Sequence, residues 1–299
     1  MKLQITLSPL FIILFLNNVY AETPETLACK SALEKGDVAD ALVQASKALD
    51  SNKNDRDALI CLGRALVAKD DLNGALTAFK QADAQVGDAV DKAVSAMLIG
   101  NAYAALKQYT PAIDSYNAAS TQAKASKNMV YERASYIALG QLYSDKQQYH
   151  QALAQFQLAN KLDENDNERG ESFEKVALAY HNMNQHDAAL EYQVKGYLMQ
   201  DKVGTLDQRV HAGIALGRYY GLVKNYTSAE NILNIMIKFA SDQGGAYYEA
   251  IASCVLARVK FAEGDKEAAN VLVARAKLIA KDTHDNALAE EIASEIAGM

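Results

Sequence analysis

R-A-S-Y-I-A-L-G-Q-L-Y-S-D-K-Q-Q-Y-H-Q-A-L-A-Q-F-Q-L-A-N-K-L-D, residues 133–163, decides the fold. Tyr136, Leu139, Gly140 and Tyr143 recur at helical spacing, as do Ala152, Leu153, Phe156 and Ala159, with the polar run 144–150 between the two sets. Each set is the apolar face of one amphipathic helix, so the stretch reads as a helical hairpin. Gly140, Ala152 and Ala159 carry almost no side chain and let the two axes approach, while Leu139, Tyr143 and Phe156 fill the seam.

Outward from this hairpin the same pattern recurs, traced by a small residue on a first helix and an alanine twelve places later on a second. The pairs are Cys29 with Ala41, Gly63 with Ala75, Gly100 with Ala112, Gly140 with Ala152, Ala177 with Ala189, Gly217 with Ala229 and Ala257 with Ala269. Seven hairpins are therefore expected. Thr110-Pro111 reads as a capping hydroxyl before a first-turn proline, and Asp187, Thr227 and Asn73 hold the same place in their hairpins. Beyond the last pair, Leu288, Ile292 and Ile296 stand at four-residue spacing among Glu290, Glu291 and Glu295, the pattern of a closing helix over the last apolar face.

The pattern resembles the tetratricopeptide repeat. Tyr136, Leu139, Gly140, Tyr143, Ala152, Phe156 and Ala159 stand where that family keeps its aromatic, Leu, Gly, Tyr, Ala, Phe and Ala. The hairpins between Arg56 and Lys161 match best. The first, fifth and seventh drift, with Cys29 and Ala45, Ala177 and Gln193, and Ala257 and Val273 at the small and aromatic places. The resemblance implies an all-α, right-handed superhelical solenoid of about seven helix-turn-helix repeats over 22–282, closed by a capping helix over 283–299. It also implies a scaffold that holds a protein or peptide in its concave groove and carries no enzymatic activity. The alternative is an enzyme accessory, or a carrier of a small ligand or metal, on the same frame.

Residues 1–21 read as a cleaved export signal. Lys2 is followed by the apolar run 10–16, and Val19-Tyr20-Ala21 offers a peptidase site, so cleavage is expected after Ala21 and the mature chain in the periplasm or outside the cell. That apolar run is short for a membrane span, and no later stretch is long and apolar enough, so no span is expected in the mature chain. The formal charge is −7; removing 1–21 takes away Lys2 and no acid, leaving −8. An acidic chain of this kind is a poor general ligand for nucleic acid, which demands a clustered basic surface.

Three cysteines in an exported chain allow one disulfide. Cys29 and Cys61 fall on first helices of adjacent hairpins, on sides that neighbouring units turn toward each other, so a bridge is open to them; two separate buried thiols are the alternative. The acidic run 163–168 has some of the spacing of a calcium loop but has Glu168 where the sharp turn demands Gly, so it reads as an inter-repeat turn. His181 and His186 flank a turn without a third ligand and read as a surface pair. No cofactor motif or catalytic constellation is present in the pattern.

One series stands out. The residue after each small one is Lys30, Arg64, Asn101, Gln141, Leu178, Arg218 and Arg258: six hydrogen-bond donors, four of them cationic, on an acidic chain. In the family this place looks into the groove. The six donors are thus the expected contacts to a peptide, with an acidic or C-terminal segment as partner and Arg218 with Arg258 gripping one carboxylate; an ordinary solvated row is the alternative.

Overall fold

The computed structural model describes residues 22–299. Among them are fifteen α-helices and no strand: α1 (Pro24–Glu34), α2 (Val38–Ser51), α3 (Arg56–Ala68), α4 (Leu72–Asp83), α5 (Ala89–Ala105), α6 (Tyr109–Ala125), α7 (Met129–Asp145), α8 (Tyr149–Asn160), α9 (Asp166–Asn182), α10 (His186–Val203), α11 (Leu206–Leu222), α12 (Tyr226–Asp242), α13 (Ala246–Glu263), α14 (Lys266–Asp282) and α15 (Asn286–Glu295). They pair into seven hairpins and a closing helix. The expected signal segment, 1–21, lies outside the described residues.

Every hairpin is built on one local rule. Seven residues after the small residue of the first helix, the chain turns through a left-handed residue: Gly36, Asp70, Lys107, Gln147, Asn184, Lys224 or Gly264. The next amide reaches back to close the helix end, as Gln108 N does to the Tyr103 carbonyl at 2.9 Å and Gln148 N to that of Tyr143 at 2.8 Å. That same next residue is the N-cap of the second helix: Asp37, Asp71, Gln108, Gln148, Gln185, Asn225 or Asp265. The caps expected at Thr110, Asp187, Thr227 and Asn73 are corrected by this: those residues lie inside the first turn, two positions after the true caps. Pro111 still costs no hydrogen bond, since the first-turn amides have no intrahelical acceptor.

The seam pairs small with large. Gly63, Gly100, Gly140 and Gly217 each lie under the side chain sixteen residues on, which is Phe79, Tyr116, Phe156 or Leu233, and a Cβ at any of these glycines would collide with it. Where the first-helix residue keeps a side chain, the residue sixteen places on changes in step: Ala45 follows Cys29, Gln193 follows Ala177 and Val273 follows Ala257. Gln193 is 1% exposed and spends its Nε2 on the Ala212 carbonyl at 3.0 Å, so a polar side chain fills the aromatic place without an unpaired donor. The drift of the fifth hairpin is thus a compensated exchange.

The helices group into two compact units, one ending at Gln85 and the other beginning at Val86. In the first, Cys29, Ala32, Ala41, Ala45, Cys61 and Ala65 form a core of small residues, and Cys29 and Cys61 are joined in a disulfide with Cα atoms 6.4 Å apart. Thr26 Oγ1, fully buried, donates to Asp55, the N-cap of α3, at 3.3 Å and adds a second tie between the hairpins. In the second unit the largest cluster gathers Leu233, Met236, Leu256, Leu288 and Ile292 from α12, α13 and α15. There α15 lays Leu288 and Ile292 on the last apolar face.

The turn after α8 is held by an ion pair. Arg133 of α7 donates Nε to Asp163 Oδ1 at 2.5 Å and Nη2 to the Glu168 carbonyl at 3.1 Å, while Asp163 also accepts from Ser172 and Asn160. The Asp163 side chain is fully buried, so the acidic run is organised around an arginine on the preceding helix.

Candidate functional site

In the second unit, α9, α11 and α13 are first helices of successive hairpins, and α15 closes the row. Between them lie two adjoining recesses. One, of about 500 Å³, is lined by Lys175 and Leu178 of α9, His211 and Arg218 of α11, and Tyr247 and Tyr248 of α13, with Glu174 and Glu291 at its walls. The other, of about 280 Å³, is lined by Arg258 and by Glu295, Ala297, Gly298 and Met299. His181 and Arg218 line both.

Leu178, the apolar break in the donor row, faces the larger recess and is 44% exposed. His211 points its Nδ1 at Glu174, 3.4 Å away, and that carboxylate raises the imidazole above its ordinary value. His181 is shifted the other way, by burial first and then by His186 and Arg218; its Nδ1 lies 3.4 Å from that of His186. Two histidines of opposite tendency therefore share one groove. The Tyr247 hydroxyl donates to Glu291 Oε2 at 2.9 Å, and burial together with this carboxylate pushes the phenol up to about 12. Tyr219, packed on His181, is pushed to about 12 by burial.

The expected donors fall into distinct settings. Arg218 and Arg258 do meet on one carboxylate, and it is the chain's own: Arg218 Nη2 is 3.1 Å from Glu295 Oε2 and Arg258 Nη1 3.5 Å from Oε1. Arg258 also donates to the Glu295 main-chain carbonyl at 3.2 Å. In the first unit Lys30 and Arg64 line a separate recess beside Cys61, and Lys30 pairs with Glu22 and with Asp57, the latter at 3.6 Å. Asn101 accepts from the Tyr116 hydroxyl at 2.8 Å, and Gln141 donates to Asp145 at 2.9 Å, so each is engaged within its own hairpin. Sequence reasoning missed Glu295, His211 and Glu174. Glu295 reads locally as a spacer between apolar positions, and nothing in helical periodicity says which distant cation an acid will face.

Among the described residues no group of three or more His, Cys, Asp or Glu is placed to hold a metal, and no helix is long and apolar enough to cross a membrane.

Residues 134–166 match the family model described as tetratricopeptide repeat. That stretch is a tetratricopeptide repeat, which supports the family resemblance read from the sequence. Solved structures with the same fold include the apo form of RapI, 14% identical over 91% of this chain and 84% of that one, with a TM-score of 0.73. BtubC from P. vanneervenii is 14% identical over 72% of this chain and 91% of its own, at a TM-score of 0.61. A tetratricopeptide repeat protein from Parabacteroides merdae is 14% identical over 91% and 97%, at 0.57. At these identities the likeness carries the fold alone. No curated protein matches the chain. The repeat fold is that of a scaffold for protein–protein interaction.

Proposed function

We propose that this repeat protein is an exported, non-enzymatic scaffold that binds an acidic peptide or protein segment in the groove lined by α9, α11 and α13. The observation that carries the reading is the half-open recess in which exposed Leu178 lies among Lys175, His211 and Arg218. An apolar anchor beside Lys175, with Glu174 held by His211 and Glu291 by Tyr247, suits a segment with one apolar and one acidic side chain, and each charge-assisted contact contributes about 1.5–3 kcal/mol before ordering costs. Export rests on the pattern of residues 1–21 and places the scaffold in the periplasm or outside the cell.

The test is crosslinking capture from the native envelope with wild type and with Leu178→Asp combined with Lys175→Glu. The variant changes two groove residues outside the buried core, and it is expected to lose most of the captured partner while keeping its helical circular dichroism. Undiminished capture would place the binding surface elsewhere. Fractionation of cells expressing the full chain checks export: retention of the uncleaved chain in the cytoplasm would refute it.

A further inference from the structure

Arg218 and Arg258 come from adjacent hairpins, yet both close on Glu295, whose side chain is only 12% exposed. The fit is incomplete. Glu295 Oε1 is buried and accepts no hydrogen bond: Arg258 Nη1 stands 3.5 Å away and bonds the main-chain carbonyl of the same residue instead. A carboxylate free to orient could take a full pair of donors from each guanidinium, the arrangement that makes arginine recognition strong. The helix that presents Glu295 is the shortest of the fifteen, ten residues, and only Leu288 and Ile292 of it are fully buried. A helix of that length has little stability of its own and depends on its docking contacts.

We propose that the end of α15 is an internal stand-in for the ligand: Glu295 holds the two arginines until an acidic side chain of a partner peptide takes its place, and α15 loosens as it does so. The inference rests on the groove reading above and adds to it the chemistry of one subsite, a carboxylate followed by apolar residues as Glu295 is by Ile296 and Ala297. A site occupied by its own tail binds a ligand with an affinity reduced by the fraction of time it is closed. Removing the Glu295 charge opens it.

The probe is a fluorescent peptide of the chain's own residues 286–299, titrated into the full mature chain and into Glu295→Gln, which keeps the shape and the buried leucine and isoleucine of α15. Glu295→Gln should bind the probe about tenfold more tightly than wild type. Saturating probe should raise hydrogen exchange in residues 286–299 of the wild type, and Arg218→Ala with Arg258→Ala in the Glu295→Gln background should abolish the gain. Equal affinity of wild type and Glu295→Gln overturns the stand-in, as does failure of both to bind the probe, or binding with unchanged exchange in α15. Self-association of Glu295→Gln in sedimentation would make a second copy the occupant and overturn assignment to a partner. The envelope capture separates the two readings. Loss of capture by the Leu178 variant, with no difference between wild type and Glu295→Gln toward the probe, leaves the groove standing without the stand-in.

Discussion

The first and second units solve the same packing problem with different material. Around the first hairpin the core is Cys29, Ala32, Ala41, Ala45, Cys61 and Ala65, whereas around α12 and α13 it is Leu233, Met236, Val255 and Leu256. Each buried methylene contributes about 0.8 kcal/mol, so an alanine core supplies far less than one of leucine and methionine. The alanine-lined cluster is the one with the disulfide. The second unit keeps its thiol, Cys254, fully buried, where burial pushes it up to about 12 and leaves it unreactive. Covalent constraint on the unfolded chain and apolar burial are thus alternative means of holding a repeat.

Removing the bridge tests this most severely. Cys61→Ser should cost the first unit roughly 3–4 kcal/mol, the chain-entropy value for a loop of this size. Amide exchange should accelerate across 22–85 and stay unchanged in α11 to α13; equal acceleration in both would break the contrast. The next effect is in the second unit, where packing is the stabilising element. Gly140→Ala forces a methyl into Phe156 and should destabilise by about 1–3 kcal/mol, as overpacking does, and adding Phe156→Leu should restore part of the loss in denaturant melts. If Gly140→Ala is neutral by itself, the seam is looser than the glycine contacts imply.

Smaller still is the turn. Lys107 holds a φ of 58°, a region that glycine enters without the Cβ penalty. Lys107→Gly should gain about 0.5 kcal/mol after the entropic cost of glycine, whereas Gly36→Ala at φ 75° should lose a similar amount, both read from thermal midpoints. The gentlest effect is one of titration. His211 should titrate above 6.5 and His181 below it in proton-detected NMR, and Glu174→Gln should return His211 toward its ordinary value. The Glu174 pairing contributes fully below 6.5 and fades as pH rises through the elevated value, while the contribution of neutral His181 is present above 6.5 and fades as pH falls. Coincident titration of the two rings would remove the asymmetry of the groove.

Much of this architecture was legible because the repeat is local. The spacing of Gly140, Ala152 and Phe156 marks the helices, the seam and the distance between axes, and the recurrence of Cys29 to Ala257 counts the hairpins; all depend on residues within one turn or one hairpin of each other. The caps lie two residues before Thr110 and Asp187 because the chain turns left-handed at Lys107 and Asn184, where no glycine marks the turn in the sequence. Arg218 and Arg258 were legible as a pair sharing a carboxylate. That the carboxylate is Glu295 was not. The Glu174 pairing with His211 was hidden for the same reason: it joins side chains of different hairpins, and which faces meet is set by how each hairpin packs on the next; the Asp163 pairing with Arg133 joins the start of one hairpin to the turn that leaves it, thirty residues on, where helical periodicity also says nothing. Helix period and small-to-large pairing are written into the sequence because the backbone itself repeats them. The choice of charge partners was decided only in the tertiary structure, since an ion pair depends on a few ångströms of separation between residues that no periodicity links.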